Sequence, residues 1–286
     1  MSTQMQKVTY YIETHLDEEL DIVTLAKVAG YSHFHFCRIF KLHVGESAMS
    51  YVARLKLERA ASELVLRERS MIEVALDAGY QTPTGFLKAF KIRFGTTPTA
   101  YKESVSLLCN RYKELDMKNV KIVEREEVKV VFTRELGEYM RSSEIAWKRL
   151  SEKMHDLERV FTKNPPSIKM SLGEGNGEAL GICHDDPKVT DENNLRYDAA
   201  LAWSEAEIDE LANYGFETKS IAGGRYAMTK YKGKEDAADR AWYGLYAWLE
   251  QNGYTYRDEP SFEKYINAWR ETDPSKIVTE VYIPIV

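Results

Sequence analysis

Through the first hundred residues, apolar positions recur at three- and four-residue steps, the period of a helix with one buried face. Phe36, Ile39 and Phe40 form one such stripe, and Phe86 and Phe90 fall on a second. Tyr51, Leu55, Leu57, Ala61, Leu64 and Val65 keep a largely helical spacing and predict one long helix over 47–67. Beyond residue 118 the rhythm changes. KIVEREEVKVVFTRELG, LRYDAALAW and TEVYIPIV are rich in strand-forming residues, whereas 144–161 and 235–251 keep the helical period. The pattern predicts an all-α domain over 1–105, a linker over 106–118 and an α+β domain over 119–286.

The first half repeats itself. Leu25, Ala26, Gly30 and Tyr31 recur 49 residues later as Val74, Ala75, Gly79 and Tyr80. Phe36, Phe40, Lys41, Gly45 and Tyr51 recur 50 residues later as Phe86, Phe90, Lys91, Gly95 and Tyr101. Each unit reads as helix, tight turn at a glycine, then helix, with Ser32 and Thr82 placed to cap the second helix. That is a helix-turn-helix written twice, with the 47–67 helix setting the separation of the two.

Charge sharpens this picture. The net charge of −6 divides unevenly: residues 1–110 hold 13 Lys+Arg against 12 Asp+Glu, and the remainder 26 against 33. From Gly85 to Lys102 there are Lys88, Lys91, Arg93 and Lys102 and no acid, a local basic face suited to phosphates. Outside the apolar stripes, the second helix of unit one presents His33, Phe34, His35, Cys37, Arg38 and Lys41. Unit two presents Thr84, Leu87, Lys88 and Lys91. Arg38 has the fork that pairs with a guanine edge, while Lys41 and Lys91, a turn later, suit phosphates. For the two histidines, a solvated helix start is the equal competitor of DNA contact.

GYSHFHFCRIFKLHVGESAMSYVARLKLERA and AGYQTPTGFLKAFKIRFGTTPTAYK together resemble the two signatures of the AraC/XylS DNA-binding domain, in order and spacing. The resemblance implies seven helices, two of them entering successive major-groove segments. Pro83 and Leu87 stand where that family often has polar residues, so unit one is expected to specify sequence and unit two mainly to anchor.

The second half is also duplicated. A strand ending in Gly137 followed by an Ala146-Trp147 helix is echoed by a strand ending in Gly233 and an Ala241-Trp242 helix. GICHDDP, LRYDAALAW, IAGGRYAMTKYKG, WYGLYAWLEQNGY, PSFEKYIN and TEVYIPI resemble the GyrI-like small-molecule-binding domain. That family implies two strand-helix-strand-strand units forming one sheet with a central groove, and some members sense bulky, often cationic, hydrophobic compounds, as in multidrug sensing. An AraC-type domain followed by this module is similar to the Rob-like architecture.

Residues suited to such a ligand are present. In the last strand, Ile277, Thr279, Val281, Ile283 and Ile285 form one face, read as core, and Val278, Glu280, Tyr282 and Pro284 form the other, read as pocket. A carboxylate beside an aromatic ring suits an organic cation. Glu263 and Tyr265 repeat the Glu-x-Tyr arrangement, and by resemblance both glutamates fall where acidic pocket residues are expected. Trp203, Tyr226, Trp242 and Trp269 are further candidate walls, with ordinary core packing as the alternative for each.

Three scattered cysteines and six scattered histidines make neither a disulfide framework nor a metal cluster, so no metal and no cofactor is expected. With no leader-like start and no run of about 18 apolar residues, the expectation is a cytoplasmic protein without membrane contact. Ligand-responsive transcription control joins both halves, with double-stranded DNA and a small-molecule effector as partners and RNA polymerase as the further partner such control implies. Two other readings stay open for the second half: a hydrolase of small reactive molecules using a pocket glutamate, and a protein-interaction module. No catalytic constellation beyond that glutamate accompanies it, so no catalytic residue is assigned.

Overall fold

The computed structural model describes residues 3–66, 69–112, 117, 119–160, 177–187, 190–233, 235–257, 259–267 and 273–286. It divides into two compact units, Met1–Val105 and Ser106–Val286.

The first unit has seven helices among its described residues: α1 (Thr3–Thr14), α2 (Ile22–Ala29), α3 (His33–Val44), α4 (Ala48–Leu66), α5 (Met71–Asp77), α6 (Pro83–Phe94) and α7 (Pro98–Tyr112). The pairs α2–α3 and α5–α6 are the repeated motif. Each turns at a glycine in the left-handed region, Gly30 at φ 69° and Gly79 at φ 84°, a conformation that a side chain would strain. Thr82 caps α6 by accepting from the Gly85 nitrogen at 3.2 Å. Ser32 has the extended backbone of a cap, but its side chain makes no capping bond. Around α1–α3, Met5, Val8, Ile12, Leu25, Phe36 and Phe40 are sealed from solvent, and Tyr51, Val52 and Leu55 of α4 close that core. The linker expected from residue 106 is helical at its start, because nothing in the sequence between Ser106 and Tyr112 breaks α7. Its remaining residues fall mostly outside the described ones.

The second unit is built from β1 (Lys121–Arg125), β2 (Val128–Leu136), α8 (Tyr139–Val160), β3 (Glu178–Cys183), β4 (Arg196–Ala202), α9 (Glu205–Asn213), β5 (Glu217–Ile221), β6 (Gly224–Lys232), α10 (Glu235–Gln251), β7 (Ser261–Tyr265) and β8 (Val278–Pro284). The eight strands form one antiparallel sheet in the order β1-β6-β8-β7-β3-β4-β2-β5. The duplicated unit is β2-α8-β3-β4 and β6-α10-β7-β8, joined back to back through the β3–β7 pair.

The connections force the sheet to curl. β1 and β5 lie at opposite ends, yet two residues join β1 to β2 and two join β5 to β6. Such links reach only about 11 Å, so the ends of the sheet must meet. They do: a Cβ on Gly223 would lie 2.7 Å from the Glu127 nitrogen. The inner face then buries Val130, Phe132, Leu180, Ile182, Tyr226, Met228, Phe262 and Tyr282 against one another. On the outer face α8 packs over β2 and β4, and α10 over β6 and β8. The central strands β3 and β7 lie between the two helices.

Candidate functional site

The first unit displays the second helix of each motif, α3 and α6. Phe36 and Phe40 of α3, and Phe86 and Phe90 of α6, turn inward with no exposure, so the helices present what remains. His33, Phe34, His35, Arg38 and Lys41 are exposed on α3, and Thr84, Leu87, Lys88 and Lys91 on α6; Cys37 is partly buried. Phe34 is 79% exposed. Leu42 and Ile92 were not anticipated and are 76% and 77% exposed at equivalent repeat positions. Each lies four residues beyond an outward basic residue, Arg38 or Lys88, and that spacing was the signal that could have found them.

In the second unit the central outer face holds a carboxylate among aromatic groups. Glu263 Oε1 accepts from Trp242 Nε1 at 2.9 Å and from the Tyr231 hydroxyl at 3.0 Å, and Oε2 from the Tyr265 hydroxyl at 3.1 Å. The Tyr265 and Tyr197 hydroxyls are 2.9 Å apart, and Trp147 Nε1 donates to Tyr197 at 3.0 Å. The chain of contacts thus runs from Trp147 on α8 to Trp242 on α10, across the strands left between them. Glu263 pairs across the ladder with Gly181. A Cβ at Gly181 would lie 2.4 Å from the Tyr197 oxygen and 2.6 Å from that of Tyr265, so the glycine makes room for the tyrosine pair. Burial pushes the Glu263 carboxyl up from its ordinary range, against the pull of its three donors. All three donors are neutral. Glu263, Tyr265, Tyr231, Trp242 and Trp147 each remain partly accessible.

The other expected ligand residues scatter. Cross-strand register places Phe262 opposite Tyr282 and Lys264 opposite Glu280, so Glu280 and Tyr282 lie on the inner face, not beside Glu263 and Tyr265. The strand β8 face read as pocket therefore lies inside the curled sheet. The face read as core, with Thr279 and Val281, lies beside Tyr265 and Glu263. Tyr226 is fully buried on the inner face against Phe262 and Tyr282. Trp203, like Trp147 and Tyr265, is partly buried against the core under α8, and Trp269 lies outside the described residues. Sequence reasoning missed Trp147, Tyr197 and Tyr231 as members of the hydrogen-bonded chain around Glu263, although the repeated Ala-Trp pair already matched Trp147 to Trp242.

The inner face carries charges that are met by charges. Asp198, with no exposure, receives Arg134 Nε at 2.6 Å and Nη2 at 2.8 Å, contacts Lys219, and lies 2.7 Å from His184 Nε2. Burial alone would raise the Asp198 carboxyl, but Arg134 and Lys219 hold it well below the ordinary carboxylate range. Burial, reinforced by those two cations and opposed by Asp198, lowers the His184 pKa to about 4. Glu280 accepts from Lys230 at 2.6 Å and from the Tyr282 hydroxyl at 2.6 Å. Glu178 contacts Arg125 and Lys264.

Comparison with known proteins agrees with both units. Residues 118–286 match the family described as the GyrI-like small molecule binding domain, and residues 25–104 match a helix-turn-helix domain. The Right origin-binding protein of Escherichia coli is 26% identical over 233 residues, covering 78% of this chain and 76% of that protein. The transcriptional regulator Rob of Salmonella typhimurium is 26% identical over 235 residues, with the same two coverages. Regulatory protein SoxS of Escherichia coli is 32% identical over 98 residues, covering 34% of this chain and 92% of SoxS. No helix among the described residues is long and apolar enough to cross a membrane. The chain belongs to the AraC-type helix-turn-helix transcription regulators, and its C-terminal part is a GyrI-like small-molecule-binding domain.

Proposed function

We propose that the protein reads double-stranded DNA through α3 and α6 in the cytoplasm and is controlled by an aromatic, cationic effector held at Glu263. The observation that carries the ligand half is a partly accessible carboxylate satisfied by neutral donors, Trp242 among them, with Trp147 edge-on to the Tyr265 ring. An incoming organic cation supplies the missing charge, and the rings add cation–π attraction. The effector is bound and released unchanged, and the output is passed to RNA polymerase. The test titrates an aryl trimethylammonium ion and its neutral tert-butyl isostere calorimetrically into wild type and Glu263→Gln, with product analysis alongside. The variant should lose about 1–3 kcal/mol toward the cation and nothing toward the isostere. Equal losses for both ligands remove the electrostatic reading, and a converted ligand makes the domain an enzyme.

For the DNA half, Arg38→Ala should cost about 1–3 kcal/mol at the preferred site and abolish preference over random duplex. Lys91→Ala should weaken all duplexes alike and lower the salt slope by about one unit. Anisotropy titrations at several salt concentrations decide both. An Arg38→Ala loss that is the same for preferred and random duplex contradicts base reading.

A further inference from the structure

Helix α4, which joins the two helix-turn-helix motifs, buries three charged side chains: Arg54, Glu58 and Glu63 are 8%, 6% and 8% exposed. Charged residues are seldom so buried unless they are paired, and these are paired toward both motifs. Arg54 Nε donates to Glu46 at 2.8 Å, and Arg54 Nη1 lies 3.1 Å from Glu58. Arg93 Nη2 closes the chain on the same Glu58 at 2.6 Å. Glu46 directly follows Gly45, the C-cap of α3, and Arg93 sits in the last turn of α6. A continuous ionic chain, Glu46–Arg54–Glu58–Arg93, therefore runs from the end of one reading helix to the end of the other.

A second chain on α4 runs Asp17–Arg59–Glu63–Arg69–Asp77, with contacts of 2.8, 3.6, 2.8 and 2.6 Å. Its outer members are weaker anchors, because the Asp17 and Asp77 side chains are 80% and 58% exposed. The members of the Glu58 chain are no more than 26% exposed. A buried ion pair is a poor source of net stability compared with apolar packing, but its directional bonds select one register.

We propose that Glu58 is a positioning residue for DNA recognition: its bridge between Arg54 and Arg93 sets the separation and phase at which α3 and α6 meet one duplex. The proposal rests on both helices reading the same DNA. Loss of the carboxylate leaves each motif folded and each helix's outward face unchanged, but frees one motif to shift against the other. The specificity that fails is spacing, not base choice.

The experiment selects binding sites from a randomised duplex pool with the full chain, as wild type, Glu58→Gln, Arg93→Gln and the double variant, followed by sequencing. Wild type should return two motifs at one separation. Glu58→Gln should return the same motifs spread over neighbouring separations, with preference for the best one falling about fivefold. Arg93→Gln should reproduce the spread, and the double variant should add little, because both changes cut one link. Single variants with wild-type circular dichroism and an unchanged separation profile overturn the proposal, even if their melting temperature falls. Should Glu58→Gln fail to fold, Arg93→Gln, at a side chain 21% exposed, carries the same test. A wild type that returns a single unpaired motif overturns instead the premise that both helices read one duplex.

Discussion

Asp198, Glu178 and Glu280 on the inner face of the curled sheet are each met by a lysine or an arginine, whereas Glu263 on the outer face meets two tyrosines and a tryptophan. Glu263 and Glu280 sit in the same Glu-x-Tyr pattern on neighbouring strands, with similar local sequence. Their fates differ because register gives Glu280 the cross-strand neighbours Lys230 and Lys264, and gives Glu263 Gly181 and Val281. A carboxylate already neutralised by a cation is part of the architecture. One held by neutral donors keeps its demand for positive charge.

The contrast breaks most visibly at Asp198. Asp198→Asn removes the carboxylate shared by Arg134 and Lys219, which are 7% and 6% exposed, and should cost about 3–5 kcal/mol in denaturant unfolding of the C-terminal unit. Cation binding in the groove of the folded fraction should be preserved. A loss below about 1 kcal/mol would mean that the inner charges are not the mutually compensating set described above.

His184 gives the pH counterpart. Its folded pKa lies below its unfolded value, so its contribution is complete above about pH 6.5 and is lost as the pH falls toward about 4. That span is worth up to about 3 kcal/mol. His184→Gln should flatten the decline in thermal melts across this window, and an unaltered slope would locate the acid sensitivity elsewhere.

Glu263 is shifted the other way. Burial raises its carboxyl, so a proton competes with a bound cation for Glu263 more readily than at an exposed carboxylate. Cation affinity should therefore climb with pH, by at most about 1.4 kcal/mol per unit, until the raised pKa is passed. The slope should vanish in Glu263→Gln. An affinity independent of pH in wild type would show that the cation does not see this carboxylate.

The smallest effect sharpens the pair. The Lys230 side chain is 52% exposed, so its bond to Glu280 is largely a surface interaction, and Glu280→Gln should change stability by no more than about 1 kcal/mol. Titration of the same ammonium ion should give the wild-type affinity. A selective loss of the cation at Glu280→Gln would return the site to the inner face.

Much of the N-terminal unit was legible because its information is local. The repeat, the turns at Gly30 and Gly79 and the inward stripes of Phe36, Phe40, Phe86 and Phe90 are set by helical spacing within a dozen residues. What escaped notice there was long-range: Glu58 reads as an ordinary polar position until Arg93, 35 residues away, is seen to reach it. In the second unit the strands and helices were equally legible, and the duplicated Ala-Trp pair marked the repeat that relates α8 to α10. The face of β8 was not. Alternation separates one side of a strand from the other, but here both sides are buried, and periodicity is silent about which lines a groove.

By itself, then, the sequence determined the two-part organisation, the duplicated motif within each part, the outward residues of α3 and α6, and the presence of acidic and aromatic groups fit for a cation. The tertiary structure alone decided which glutamate has only neutral partners among the described residues. That outcome depends on cross-strand register and on short links, Glu126–Glu127 and Ala222–Gly223, that bring the ends of the sheet together. Curling turns one face into a largely buried interior where charges must compensate each other, and leaves the strip between α8 and α10 as the place where Glu263 meets only neutral donors among the described residues.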